Sequence, residues 1–525
     1  MKTLSCRFTI GAMNRSKHAG IAALVLLLTT LATAAEERPH VTAEQVATAV
    51  AELDALAAKQ NAVPGLAVAV VFQDKAVYAK GFGVRDVNGT APVNADTVFQ
   101  LASVSKPIGA TVVAALIGDG KITWDSRLNE LDPTFVMFDP WATHEVTIRD
   151  MYAHRSGLPD HAGDLLEDFG FSRAEILRRL RYQHPASSFR SHYAYTNFGI
   201  TAAAVAAVKA YDMEWEIASE EKLYRPLGMT ATSSRHSDFV GRANKALGHV
   251  LVDGKWVQKF QRDPDAQTPA GGVSSSANDL VKWMRLELAN GKFEGKTIVD
   301  EKALIEARRP HMLTGYNPFT GVPTFYGLGW NVSYDDHGRF QLNHSGAFDL
   351  GAATYVLLLP SEQLGIAVLT NAYPIGFAEA LGTTFVDQTL YGRSTQDWFA
   401  VYKKVFANPA MLGLTPGFDY TKAPASPAPA LKPEAYSGTY QNNFFGEVSV
   451  SEQRGALAMI IGPQTKSFPL QHYDRDTFSY QTEGENAVGL SGVTFTIGPD
   501  GKATEMIVEN LNIRGEGTFK RRPRQ

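Results

Sequence analysis

Residues 98–120 read VFQLASVSKPIGATVVAALIGDG. The stretch holds an S-x-x-K pair, Ser103 and Lys106, immediately before a proline and a long apolar run. That run is apolar on nearly every face (Ile108, Val112, Val113, Leu116, Ile117), so it predicts a helix buried in a core. Pro107 fixes where the helix starts, because proline lacks an N–H and is tolerated only in the first turn. Ser103 is therefore expected at the helix N-terminus, where the dipole favours developing negative charge, with Lys106 on the same face. The plainer reading of such a serine is a helix cap. A cap, however, does not require a lysine directed into the domain beside it.

A second S-x-x-K occurs at Ser219 to Lys222, among Glu216, Glu220 and Glu221. Its surroundings predict a solvated helical face.

The chain has 525 residues, 44% hydrophobic and 20% charged, which is ordinary globular composition with room for two or three domains. Lys2, Arg7, Arg15 and Lys17 lead into the apolar run IAALVLLLTTLA and then small residues to Ala35. This is the pattern of a secretory leader over residues 1–35, with Met1 or Met13 as its start. Its apolar core of roughly a dozen residues is short of the about 20 needed to span a membrane. Export, to a periplasm or outside the cell, is the expectation. The one cysteine, Cys6, would leave with the leader, so no disulfide, thiol nucleophile or Cys-ligated metal is expected. Losing the leader's four basic residues takes the formal charge from -4 to -8, which disfavours nucleic acid and anionic lipid as partners. A small-molecule or peptide substrate is expected, with no cofactor and no metal.

VTAEQVATAVAELDALAAKQ (41–60) predicts an amphipathic helix, and PGLAVAVVFQ and KAVYAKGFGVRD predict two strands joined at Gln73 to Lys75. FQLNHSGAFDLGAATYVLLLP (340–360) and GIAVLTN (365–371) supply further strands. One antiparallel sheet built from both ends of a domain spanning 40–395, with a largely helical middle, is the economical arrangement. Residues 396–431, Pro- and Ala-rich towards their end, are expected to be a semi-rigid linker. Beyond it, residues 432–525 read as a small all-β barrel, with a hairpin signal where Val493, Phe495 and Ile497 precede Gly498 to Gly501.

A serine nucleophile needs a proton acceptor and donors for an oxyanion. There is no G-x-S-x-G elbow, and His144 to Ile148 fails H-E-x-x-H at its last position. The chain does offer Tyr195-Thr196-Asn197 and His344-Ser345-Gly346. In isolation a tyrosine is most often core and a histidine most often a satisfied buried residue.

Taken in order, Ser103 to Lys106, Tyr195 to Asn197 and His344 to Gly346 resemble the serine β-lactamase-like family, which includes class C β-lactamases, D-alanyl-D-alanine carboxypeptidases, D-aminopeptidases and esterases. HRSGLP (154–159), LYRPLGMT (223–230), PAGGVSSSANDLVKW (269–283), YGLGW (326–330) and VLTN (368–371) look like its connecting segments, so the resemblance covers about residues 42–392. The C-terminal domain looks like the lipocalin-like domain often appended to these hydrolases. The resemblance implies an α+β fold: an antiparallel sheet flanked by helices, with a helical subdomain, followed by the barrel.

It also implies acyl transfer, with Ser103 as nucleophile and Tyr195, close to the Lys106 ammonium and thereby drawn towards phenolate, accepting its proton. The sequence leaves open whether Tyr195 or Lys106 is the base. Asn197, His344 and Ser345 would bind substrate, and the backbone N–H groups of Ser103 and Ala347 would form the oxyanion hole. Where β-lactamases carry lysine this chain has His344, mostly neutral at pH 7. A peptidase or esterase on D-amino-acid or small acyl substrates thus ranks above a class C-like β-lactamase or a penicillin-binding or sensing module with little turnover. Oligomeric state is not read from the sequence.

Overall fold

In the computed structural model the described residues are 40–317, 321–335, 337–408 and 417–523, so the expected leader and Cys6 lie outside them. Helix α1 (Ala43–Lys59) buries the apolar stripe Val46, Ala49, Leu53 and Ala57. Strands β1 (Gly65–Phe72) and β2 (Lys75–Gly83) form the hairpin expected there. Helix α2 (Ser105–Gly118) and helix α3 (Asn197–Lys209) are apolar on all faces and almost wholly buried, as the 98–120 stretch predicts for the first of them. Helix α4 (Ala277–Leu288) follows, capped by the Ser276 hydroxyl. Then come β3 (Met312–Tyr316), β4 (Pro323–Tyr326), β5 (Asn331–Tyr334), β6 (Phe340–Phe348), β7 (Ala352–Leu359), β8 (Leu364–Thr370) and helix α5 (Phe377–Tyr391).

The eight strands form one antiparallel sheet in the order β2-β1-β8-β7-β6-β5-β4-β3, which joins the two ends of the domain through β1 and β8. Val68 faces Val368 and Val70 faces Ile366 across that seam. Every residue of β1, β7 and β8 is buried, because α1 and α5 cover one face of the sheet and α4 packs on the other. With both faces covered, a strand has no solvent side on which to place polar residues. Continuous apolar runs result, rather than alternation.

Helix α6 (Trp398–Phe406) corrects the linker expectation at its start: Trp398 Nε1 donates to Asp387 of α5 at 2.6 Å, and Phe399 packs on Phe377. An amphipathic segment beside an apolar helix folds onto it.

Nine strands, β9 (Gly438–Asn442), β10 (Gly446–Gln453), β11 (Ala456–Ile461), β12 (Lys466–Pro469), β13 (Gln471–Asp474), β14 (Thr477–Gln481), β15 (Leu490–Ile497), β16 (Ala503–Val508) and β17 (Thr518–Arg521), form the C-terminal sheet, in the order β12-β11-β10-β9-β17-β16-β15-β14-β13. It curls into a nearly closed barrel filled by Tyr440, Met459, Phe478, Tyr480, Phe495 and Phe519. The barrel is tied to the first domain at Asp168, whose carboxylate accepts from Glu485 N and Asn486 N, each at 3.0 Å, and from Asn486 Nδ2 at 2.9 Å. Lys466 donates to the Asp168 carbonyl, and Phe169 packs on Phe445 and Phe468.

Candidate active site

The turn that carries Ser103 is held from both sides. Leu101 N donates to Val273 O at 2.8 Å, and the Leu101 carbonyl accepts from the Thr354 hydroxyl of β7 at 2.6 Å. Ala102 adopts a left-handed conformation with φ 48°, which costs an alanine on the order of 1 kcal/mol and turns the chain abruptly into a short 3₁₀ segment, Ala102–Val104. α2 then begins at Ser105, with Pro107 in its first turn. Ser103 does not cap it: the cap position is Val104, and no side chain bonds the free amides there.

The Ser103 hydroxyl meets two side chains instead. Lys106 Nζ lies 3.0 Å from Ser103 Oγ, and the Tyr195 hydroxyl donates to Ser103 Oγ at 2.8 Å. Lys106 is 0% exposed, and its other two neighbours are Asn197 Oδ1 at 2.7 Å and Ala270 O at 3.0 Å. All three contacts are uncharged. A neutral amine has two N–H donors and one lone pair; the two carbonyl oxygens take the donors and leave the lone pair for the Ser103 hydroxyl. Burial draws Lys106 down to about 7, with the Asp164 charge acting in the opposite direction.

Lys106 Nζ also stands 4.5 Å from the centre of the Tyr195 ring, but the expected drift of Tyr195 towards phenolate does not follow. Burial pushes the Tyr195 hydroxyl above its ordinary range, outweighing the Ser103 hydrogen bond that lowers it. A lysine close to neutrality supplies little positive charge to offset that burial.

Asn197, the first residue of α3, uses both ends of its amide: Oδ1 faces Lys106, and Nδ2 donates to Asp164 Oδ2 at 2.7 Å. The same carboxylate oxygen meets His161 Nδ1 at 2.7 Å. Burial lowers the His161 imidazole, but the Asp164 hydrogen bond and charge win and raise it overall. His161 N donates to Tyr195 O at 2.7 Å and Ala194 N to His154 O at 2.9 Å, so the 154–164 segment clamps the Tyr195 loop in place.

His344 lies on β6 and is 4% exposed. Its Nδ1 is 2.7 Å from the Ser345 carbonyl, which can only accept, so Nδ1 carries the proton and Nε2 accepts from the Tyr326 hydroxyl at 2.9 Å. Burial, reinforced by Lys106, draws His344 down to about 3, and the ring is neutral at any working pH. Ser345, the next residue of the strand, points the other way. It pairs with Tyr355, whose ring packs on Gly382 of α5 on the far face of the sheet, so Ser345 is not among the side chains gathered around Ser103. Gly346 returns to the near face, where a Cβ would collide with Leu101 O and Thr354 Oγ1 and stand 3.2 Å from Ser103 N. Ala347 follows, exposed at the rim.

Ser219 corrects another expectation. It is fully buried, with its hydroxyl bonded to Trp215 O at 2.8 Å, while Lys222 turns outward to Asp119 at 2.6 Å. Ser219 ends the α-helix Trp215–Ser219 and faces inward, while Glu220 and Glu221, in the π-helical turn Glu220–Tyr224 that follows, face outward. The second S-x-x-K is core, with no base beside it. A cavity of about 990 Å³ on the far side of α3, lined among others by Phe135, Leu177, Val208 and Trp215, includes none of the predicted site residues.

Residues 46–390 match the family described as Beta-lactamase, and residues 422–521 match a domain of unknown function, DUF3471. The chain belongs to the Beta-lactamase family. Among its relatives, the unguisins hydrolase ungD' of Aspergillus campestris is 26% identical over 464 residues, covering 84% of this chain and 85% of its own. Penicillin-binding protein 4 of Amycolatopsis lactamdurans is 28% identical over 326 residues, covering 61% of this chain and 83% of its own. The solved structure of the octameric penicillin-binding protein homologue from Pyrococcus abyssi shares the fold, with a TM-score of 0.57 at 19% identity over 89% of this chain and 98% of that one.

For this Beta-lactamase family chain, sequence reasoning missed four side chains that the fold brings to the site: His154, His161, Asp164 and Tyr326. His154 is packed between Tyr193, Tyr195 and Tyr326, with Nδ1 accepting from Thr196 N at 3.1 Å. The signal lay in HRSGLP and YGLGW, which carry His154 and Tyr326 and read only as connecting segments. Among the described residues no group of His, Cys, Asp or Glu is arranged to hold a metal ion, and no helix is long and apolar enough to cross a membrane.

Proposed function

We propose that this chain is an exported serine hydrolase that works through an acyl-enzyme at Ser103, on peptide (D-amino-acid), amide or ester substrates. The carrying observation is Ser103 Oγ held 3.0 Å from Lys106 Nζ and 2.8 Å from the Tyr195 hydroxyl. The neutral Lys106 amine takes the Ser103 proton as Oγ bonds to the substrate carbonyl carbon. The displaced carbonyl electron pair becomes an oxyanion facing the N–H groups of Ser103 and Ala347; one such donor is worth about 3 kcal/mol of barrier. Collapse of the intermediate breaks the bond to the amine or alcohol, which leaves with the Tyr195 proton, and Lys106 returns its proton to Tyr195. Water then repeats the sequence on the acyl ester.

His344 supports ranking peptides and esters above β-lactams. It is neutral and its Nε2 is occupied by the Tyr326 hydroxyl, so it offers no permanent cation to a substrate carboxylate. Asn197 can still reach a substrate through its second Nδ2 hydrogen. The leader-like residues 1–35 support export to a periplasm or beyond the cell.

One panel tests the proposal: D-alanyl-D-alanine peptides, D-amino-acid amides, short-chain nitrophenyl esters and a chromogenic cephalosporin, each with wild type and Ser103→Ala. Turnover of peptides or esters that disappears in Ser103→Ala supports it. Preferred turnover of the cephalosporin makes the chain a β-lactamase, and a stable adduct with no turnover makes it a penicillin-binding or sensing module.

A further inference from the structure

The Lys106 amine is buried without a carboxylate in contact, yet a buried carboxylate stands one amide away. Lys106 is 0% exposed, Asn197 9% and Asp164 4%, and the three are joined in series by two hydrogen bonds of 2.7 Å. The amide orientation is forced. Lys106 presents donors and needs the amide oxygen, whereas Asp164 accepts and needs the amide nitrogen; a turned Asn197 would set donor against donor at one end and acceptor against acceptor at the other.

We propose that Asp164 is the positioning residue of this site: it locks the Asn197 amide with its oxygen towards Lys106 Nζ and, through that amide, sets the protonation of the amine that activates Ser103. This deepens the acyl-enzyme reading and rests on Ser103 being the nucleophile. Asp164 Oδ2 holds both Asn197 and His161, while Oδ1 is buried and without a hydrogen-bond partner. The other titratable groups facing Lys106 do not compete as anions. His154, in the turn after the short helix Ile148–Tyr152, and His344 of β6 are held neutral by burial, burial keeps Tyr195 protonated, and His161 is the imidazole that Asp164 itself pairs. Asp164 is the acid that holds the Lys106 pKa up against burial.

The geometry separates two jobs of Asp164, orientation and charge, and two substitutions separate them in turn. In Asp164→Asn the new amide oxygen still accepts from Asn197, so orientation survives while the charge is lost. The acid limb of the kcat/KM profile, measured on a nitrophenyl ester, should then move to lower pH by about one unit, because removing a nearby negative charge makes the ammonium easier to deprotonate. The plateau rate should stay within about tenfold of wild type. Asp164→Glu keeps the charge and should leave the limb in place. Asp164→Ala loses both jobs, and kcat should fall by about tenfold or more with a smaller change in KM.

A limb that does not move in a folded Asp164→Asn, or that moves equally in Asp164→Glu, overturns the proposal. Thermal melts establish folding, and if Asp164→Ala is unstable the Asn and Glu pair decides alone. Ser103→Ala runs alongside: residual activity there overturns the acyl-enzyme reading itself, a result distinct from a fixed limb.

Discussion

Lys106 Nζ stands 3.0 Å from Ser103 Oγ in a shell of neutral oxygens. A lysine drawn to about 7 by burial is reactive as the free amine, so the rate should rise with pH through about 7 and then level. Below that range the ammonium has no lone pair to receive the Ser103 proton. Lys106→Arg should lose about 10³-fold or more in kcat/KM, because guanidinium does not deprotonate at any working pH. A kcat/KM profile flat from about pH 5 to 9 would count against Lys106 as the base.

Tyr195→Phe keeps the ring against Lys106 and removes only the donor to Ser103. Its kcat should fall by about 10² to 10⁴-fold. The loss should be smaller for a nitrophenyl ester, whose leaving group needs no proton, than for an amide. Equal losses on both substrates would argue against a proton-donating role.

The cluster of Ser103, Lys106, Tyr195 and His344 was legible because each sits in a triplet with a fixed place in the chain, and Pro107 fixed where the helix could start. The sheet was legible because β1 and β8 are long apolar runs at opposite ends of one domain. Asp164 and His161 were not, since nothing within three or four residues of either in sequence shows that α3 will set Asn197 against them. Ser345 lies on the face away from Ser103 for a related reason: a triplet does not say which of its residues points to which face, and the period of two turns Ser345 towards α5. Ser219 read as surface from its acidic neighbours, but it shares the inward side of its helix with Trp215 and Ala218.

Gly346 is needed because β6 passes directly beside the Leu101 to Ser103 turn. Gly346→Ala should lower the melting temperature and abolish ester turnover together, as strand and nucleophile are forced apart. Forcing an extra methyl into such a packed contact typically costs about 1–3 kcal/mol. A variant with unchanged kcat would mean that the strand edge is not part of the reaction centre.

His344→Gln should leave the acid limb of the pH profile where it is, since His344 is already neutral far below pH 7. Rates within about tenfold of wild type are expected if its job is to hold Tyr326 and shape the cleft. A shifted limb would assign the titration near 7 to His344 rather than Lys106.

Asp168→Ala removes the acceptor for two backbone amides and one side-chain amide of the barrel's 485–486 segment. Stranding buried donors costs about 1–3 kcal/mol, so the melting temperature should drop by several degrees. No change in melting would mean that the barrel is not held through this carboxylate.

Acylation of Ser103 is tested most directly by trapping the intermediate. Rapid-quench intact-mass measurement during ester turnover, followed by peptide mapping, should find one acyl group per chain on the peptide carrying Ser103, and none in Ser103→Ala. Turnover with no covalent adduct, or an adduct that persists in Ser103→Ala, would contradict it.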